Sequence, residues 1–436
     1  MNLPTTTPPT TTLALDDITL GTAETWLRAD REGILRKLRD ERPVSFHAEA
    51  AYPGPGSDPM DPSTWTQGPG FWAVTHYDDV MAVSRDPHTF HSAPTTTMGD
   101  IPPEIAEWLG SMINMDAPKH TRMRLIVNRG FTPRQVAKVE ENVRSVAQEI
   151  VRRVAPMGSC DFVSEIAAAL PLTIICDMMG IPRSDHQRIY ELTNTILGVG
   201  DPEYASSIEE LMAAGMELFQ YGLRLAEQKL NEPTDDIASA LMHAEVEDDN
   251  GDKQRLTQGE LGSFFLLLVA AGNETTRNAI SHGMRALTEH PDQRAVWMHD
   301  FDAVAPSAVE EIVRWATPVI HFRRTATVDT VIGGQHINAG DKVVMFYNSA
   351  NRDERKFIDP YAFDLRRTPN EHTGFGAGGP HFCLGANLAR REIRVMFEEL
   401  LHGLPDIRIS GDADMLQSAF IHGIKRMPCE FTARNI

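Results

Sequence analysis

The chain has 436 residues, with 41 Lys and Arg against 61 Asp and Glu, and its formal charge of −20 excludes a polyanionic nucleic acid as its partner. Its four cysteines, Cys160, Cys176, Cys383 and Cys429, show no paired spacing, which excludes a disulfide framework or zinc ribbon and suits a reducing compartment. Met1 to Thr12 is rich in Pro and Thr, uncharged, and without the apolar core of a signal peptide or membrane anchor. The expectation is a disordered tail over 1–13, one large domain over 14–436, and a cytoplasmic protein.

Periodicity and stop signals predict helices, in chain order, at Thr22–Asp40, Tyr77–Arg85, Pro103–Met112, Pro118–Gly130, Pro133–Ala155, Val163–Gly180, Ser184–Leu197, Ser207–Asn231 and Ile237–Ala244. Four more follow at Thr257–Glu289, Pro291–Asp300, Pro306–Ala316 and Asn387–Leu400. Strand signals are few: Phe71–Thr75, Phe322–Ala326, and a hairpin over Val331–Phe346 with turns at Gly333-Gly334 and Ala339-Gly340-Asp341. The fold class is therefore mainly α with a small β region.

The helix from Thr257 is the most informative element. Thr257 and Glu260 form a capping box, and no proline interrupts the pattern before Pro291. At about 1.5 Å per residue it would run roughly 50 Å, enough to cross a domain. Its apolar run Phe264–Ala270 is too short for a bilayer and reads as buried core, yet Ala271-Gly272-Asn273-Glu274-Thr275-Thr276 breaks it with an acid and hydroxyls. Polar groups at the centre of a core helix are costly unless paired or wet. They mark either a functional site or a kink in which a threonine bonds back to the i−4 carbonyl.

Two further signals lie downstream. Glu311 and Arg314 share a helix face, an arrangement that is also common as a solvated surface pair. Cys383 ends the loop Gly374-Phe375-Gly376-Ala377-Gly378-Gly379-Pro380-His381-Phe382-Cys383-Leu384-Gly385, directly before a helix. Glycines there let a flat, bulky group lie against the backbone, and the N–H groups and dipole of the next helix stabilise a thiolate. The competing reading is a buried structural cysteine.

This loop resembles the haem-binding signature of the cytochrome P-450 superfamily. Gly379 and His381 fall where the family has them, and Phe375 lies one residue too far upstream. The resemblance implies haem b, held between the long central helix and the helix after the loop, with Cys383 as the iron's axial ligand. In that superfamily the thiolate donates to the haem iron, and the resemblance implies the same for this sulfur. It implies that Ala271 and Gly272 make room for dioxygen, that Thr275 hydrogen-bonds it, that Glu274 relays protons, and that a local helix distortion admits water. Glu311, Arg314 and a later arginine, Arg367 or its rival Arg366, would lock the loop beneath the haem. His120, Arg124, Arg324 and His381 would receive the propionates, and Phe375, Gly379 and Gly385 would shape the haem's bed.

Nearly all of the chain after Leu13 is similar to actinobacterial lipid-hydroxylating members, in particular methyl-branched lipid ω-hydroxylases, with sterol side-chain hydroxylases as near relatives. Leu170–Pro182, Phe264–Ile280, Ala308–Ala316, Gly385–Arg394 and Phe420–Lys425 carry this. The implied activity is insertion of one oxygen atom from O2 into an unactivated C–H bond of a lipid. A peroxide-driven peroxygenase and a non-catalytic haem sensor are the other readings, and Glu274-Thr275 speaks against both. Met98, Ile101, Trp108, Ile113, Leu267 and Phe420 are candidate substrate-lining residues; the Met212, Met216, Phe219, Leu223 stripe is of the kind that is more often plain core. With no flavin or nucleotide module, electrons would come from a ferredoxin and ferredoxin reductase. Lys119, Arg122, Arg124, Arg129, Arg134, Arg390, Arg391 and Arg394 are the candidate docking patch of a monomeric enzyme.

Overall fold

The computed structural model describes residues 10–51, 62–64, 66–100, 111–130, 133–198, 200–204, 207–247 and 253–435. The first predicted helix is two: α1 (Ala23–Leu27) and α2 (Arg31–Glu41), separated where Arg28 turns extended and Asp30 accepts its guanidinium. After strand β1 (Val44–His47) come β2 (Phe71–Val74), α3 (Tyr77–Arg85), β3 (Phe90–His91), α4 (Lys119–Gly130) and α5 (Pro133–Val154). The short β4 (Ser159–Asp161) was not signalled by any alternation. It runs into a π-helical turn, Val163–Ala167, that replaces the first turn of the helix expected from Val163. The remainder of that segment is α6 (Ala169–Met179), stopped by Gly180 in the left-handed region at φ 69°.

Then come α7 (His186–Leu197), α8 (Ile208–Asn231), α9 (Ile237–His243) and the long α10 (Gln258–Glu289). The capping box at Thr257 and Glu260 is present in both directions. Helix α10 buries residues around its whole circumference, and α6, α8 and the next long helices all pack on it, which is why its sequence lacks one clean polar face. Close approach is bought with glycine at one place: a Cβ on Gly222 of α8 would lie 2.9 Å from the Gly262 Cα of α10. The apolar face of α8 that is buried is Ala214, Leu218, Leu225 and Ala226, one step round from the Met212–Met216 stripe, and Met216 is exposed.

The chain continues through α11 (Pro291–His299) and α12 (Phe301–Ala316). The latter starts five residues before the expected Pro306, because the Asp300 side chain caps it by accepting from the Ala303 N–H. Strand β5 (His321–Ala326) leads to a small hairpin, β6 (Thr330–Ile332) and β7 (Gln335–Ile337), turned by Gly333 and Gly334 at positive φ. Next come β8 (Lys342–Phe346), α13 (Ala386–Gly403), β9 (Arg408–Ile409) and β10 (Pro428–Glu430). The larger sheet has the order β1-β2-β8-β5-β3, with β8 parallel to β2 and antiparallel to β5. The smaller is β9-β10-β4. The main core lies between α5, α6, α8, α10, α12 and α13, and two smaller clusters line the faces of the larger sheet.

Residues 1–9 of the expected tail and most of the expected Pro103–Met112 helix lie outside the described residues. Thr11 donates to Asp30, and Lys37 donates to the Leu13 carbonyl. Among the described residues, no helix is long and apolar enough to cross a membrane.

Candidate functional site

Sites at the junction of α10, α13 and the Gly374–Gly385 loop enclose a cavity of about 590 Å³. His120, Arg124, Ala271, Gly272, Thr275, Arg324, Phe375, His381, Cys383 and Gly385 all line it, although they come from distant parts of the chain. A second cavity of about 450 Å³, between α7 and α8, is polar and holds none of the residues singled out by sequence.

The loop's geometry answers the one-residue departure at Phe375. Gly376, Gly378 and Gly379 all take positive φ, 92°, 82° and 78°, so the extra residue is absorbed in backbone open only to glycine. Gly379 does not line the cavity; a Cβ there would lie 2.3 Å from the Ser84 carbonyl oxygen, so its role is close packing against α3. The Cys383 N–H donates to Phe375 O at 3.0 Å, which ties the phenylalanine to the cysteine despite the altered spacing. The sulfur opens onto the cavity, and the protein around it still desolvates it. Burial therefore pushes the thiol up, while the Gly385 N–H and the Arg124 and Arg390 guanidiniums favour the thiolate. Arg390 stacks 4.4 Å above the Phe375 ring and is held by Glu310.

On one side of the cavity stand basic groups that no carboxylate bonds directly; Asp116 acts on Arg324 and His120 only through its field. Arg324 is 4 % exposed and donates to the Arg323 carbonyl; Arg124 donates to Phe382 O. His120 is buried, with an unpartnered Nε2, and its ring lies 4.2 Å from that of His381, which bonds Ser92. Burial, then Arg324, His120 and Arg124, push His381 down to about 3. A buried guanidinium without a bonded anion, as at Arg324, and a buried imidazole nitrogen without a partner, as at His120, are costly, and two propionates supply the anion and the acceptors these groups lack. The residues present thus fit haem b.

Beneath the loop, Glu311 and Arg314 are fully buried and paired at 2.7 Å through two bonds, so the surface-pair reading is excluded. Arg367 is the third member: its Nε reaches both Glu311 oxygens at 3.3 and 3.1 Å, whereas Arg366 is exposed. Arg314 also donates to the carbonyls of Asn351, Pro360 and Ala362, and Asn351 in turn accepts from the Thr373 N–H at the head of the cysteine loop.

Several expectations need correction. Helix α10 is α-helical through Ala271–Thr276, without the expected distortion, and the Thr275 hydroxyl donates back to Ala271 O at 2.7 Å. Glu274 does not line the cavity. It is 1 % exposed, ion-paired with Arg277 and bonded by Asn278 at 3.0 Å, with its Oε2 unpartnered, and Arg277 reaches on to Asn194 of α7. Gly272 leaves room for Ile175, whose Cδ1 would lie 2.5 Å from a Cβ there. Of the lining candidates, Ile113 and Leu267 are on the wall; Ile101 and Trp108 lie outside the described residues. Met98 packs into the cluster of Ile18, Trp26 and Phe346, and Phe420 sits behind the wall, edge-on to Phe322 at 5.6 Å. Three residues of the basic patch are matched by the chain's own acids, Arg122 by Glu260, Arg390 by Glu310 and Arg394 by Asp302; Arg129 donates to Glu245 O, and the Arg391 Nε has no partner among the described residues. The Arg134 side chain is outside the described residues.

Phe322, Ile175 and Met178 on the wall had no sequence signal, since they are ordinary apolar residues of a strand and a core helix. Glu392 of α13 was also missed as a site residue. It is 2 % exposed on the cavity wall beside Thr276, one oxygen is unpartnered, and burial pushes its carboxyl up to about 8.

A cysteine sulfur, a cluster of basic side chains and an apolar wall around one cavity are the arrangement of a haem-thiolate oxygenase. The cytochrome P450 family model matches residues 64–404, and the chain belongs to that family; it is a monooxygenase, and its cofactor is haem b. It is 50% identical, over 97% of its length and 96% of theirs, to the methyl-branched lipid omega-hydroxylases of Mycobacterium bovis and Mycobacterium tuberculosis. To the steroid C26-monooxygenase of Mycobacterium tuberculosis it is 40% identical over 90% of each chain. Among solved structures, a Mycobacterium marinum cytochrome P450 in complex with pseudoionone matches with a TM-score of 0.85 at 43% identity, covering 97% of this chain and 99% of that one.

Proposed function

We propose that this enzyme hydroxylates the terminal carbon of a methyl-branched lipid: a fatty acid, fatty alcohol or isoprenoid. The observation that carries the reading is the cavity wall above Cys383, where Met112, Ile113, Ile175, Met178, Leu267 and Phe322 form an apolar chamber that holds a flexible hydrocarbon better than a polar metabolite. Bound haem b supplies the oxidising power that puts one atom of O2 into the C–H bond. Cys383 would ligate its iron; His120, Arg124, Arg324 and His381 would receive its propionates; and Glu311, Arg314 and Arg367 hold the loop that carries the sulfur. Thr275 presents a hydroxyl to the cavity once it releases Ala271 O. Glu274 delivers protons from behind it, which requires exchange of its buried bonds to Arg277 and Asn278.

A ferredoxin with its reductase is the electron donor in this reading, to a monomeric cytoplasmic enzyme. Exposed Lys119 is a better candidate contact than Arg122, which Glu260 already holds. The steroid C26-monooxygenase relative makes sterol side chains the second substrate class to test. The experiment is a titration with branched fatty acids, fatty alcohols, isoprenoids and sterols, followed as displacement of iron-bound water in the Soret band. Tight binding and terminal hydroxylation of branched chains support the reading. Preference for sterols moves it to the second class, and no response to any of them refutes it.

A further inference from the structure

Cys160 and Cys429 are 269 positions apart in sequence and face one another across β4 and β10. Their sulfurs are 3.5 Å apart. Directly opposed residues in antiparallel strands have Cα atoms about 4.5–5.5 Å apart, within the roughly 4.4–6.8 Å that a disulfide spans, so only the sulfurs must close, to about 2.05 Å. Neither cysteine lines the haem cavity. The two differ in setting. Cys160 is half-buried and reachable from solvent; Cys429 is 1 % exposed. Hydrogen bonding from Cys429 favours the thiolate at Cys160, and that bond together with burial keeps the proton on Cys429. Cys176 offers a contrast: it is buried, burial pushes its thiol up, and it forms no such pair.

We propose that Cys160 and Cys429 are a reversible dithiol–disulfide couple that takes up two-electron oxidation by hydroperoxides. The Cys160 thiolate attacks hydrogen peroxide, the O–O bond breaks, and sulfenic acid forms with hydroxide, which takes a proton from solvent to become the first water. The Cys429 sulfur then attacks the Cys160 sulfur, the S–O bond breaks, and a second water leaves with the Cys429 proton. Two thiols lose two electrons and hydrogen peroxide gains them. The product ties β10 to β4, and through it to the π-helical turn Val163–Ala167 that packs on α10. The isolated spacing of the four cysteines gives no hint of this, because strand pairing alone brings the two together.

The test exposes holoenzyme to limiting hydrogen peroxide without reductase, quenches it, denatures it and counts thiols. The count should fall from four to two, with a linked peptide pair containing Cys160 and Cys429 and full return on dithiothreitol. Amide exchange over 427–431 should slow. Cys160→Ser should abolish the link, and Cys429→Ser should leave a sulfenic acid at Cys160 that dimedone traps. Four free thiols after oxidation, irreversible over-oxidation of Cys160 in the parent, or a link made by Cys176 instead would each overturn the proposal.

Discussion

Arg314 makes five hydrogen bonds from a fully buried guanidinium, two to Glu311 and three to the carbonyls of Asn351, Pro360 and Ala362. Arg314→Met keeps the apolar stem and removes all five. Glu311 retains Arg367, Asn370 and the Asp364 N–H, so its charge is not stranded, and Ala362 O retains Arg367, while the buried carbonyls of Asn351 and Pro360 are left without a donor. Leaving two buried acceptors without a donor costs about 2 kcal/mol each, about 4 kcal/mol together. For a chain of this length the entropy of unfolding is about 0.9 kcal/mol per kelvin, so the melting temperature should drop by about 3–5 °C. Because Asn351 also holds the head of the cysteine loop, haem should be lost before the fold is. Calorimetry and the Soret-to-protein absorbance ratio read the two effects, with exposed Arg366→Met as a control that should stay within about 0.5 kcal/mol of the parent. A variant that melts within 1 °C of the parent and keeps its haem would refute the assignment of this triad as the support of the loop.

Thr275→Ala should leave lipid affinity and stability close to the parent, because the bond lost is a single return bond to Ala271, while more reducing power ends as hydrogen peroxide; unchanged coupling would make Thr275 structural. Burial holds His282 at about 3 and His47 and His321 at about 4, so the fold keeps them neutral where the unfolded chain, titrating near 6.5, takes up protons. Their contribution is complete above pH 6.5 and disappears as pH falls toward 4, about 4 kcal/mol per pH unit for the three, read by denaturant melts at pH 7, 6 and 5. Glu392 has the opposite sign: with its carboxyl at about 8 its contribution is complete below the unfolded value near 4.5 and is lost as pH rises through 8. Glu392→Gln should therefore gain on the parent in melting temperature between pH 5 and 8.5, and a constant difference would mean the carboxylate is not held neutral.

How far the site could be read from sequence follows from how local each signal is. Cys383, the glycines before it and the capping box at Thr257 and Glu260 act within a few residues, and their conformations were legible as backbone chemistry. Glu311 and Arg314 were visible as a pair but not as a buried one, since burial is decided by Arg367 and by carbonyls some forty residues on. Glu274 lies next to Thr275 in sequence yet turns about 100° round the helix, toward Arg277 and α7, so adjacency placed the two in one site and helix geometry pointed them apart. Phe420 and Met98 failed as wall residues because the larger sheet and its own aromatic cluster claim them. The partnership of Cys160 with Cys429 depends on long-range strand pairing, for which a single chain carries no local mark, whereas the break between α1 and α2 rests on the local Arg28–Asp30 contact that helical periodicity alone overlooks.

The central claim is that Cys383 is the sulfur beneath the haem. The reduced carbon monoxide complex should absorb near the wavelength that gives the family its name, and Cys383→His should move the band to the shorter, globin-like position without displacing the haem from His120, Arg124 and Arg324. The same long-wavelength band in the Cys383→His variant would contradict the account, because the thiolate would then come from another cysteine.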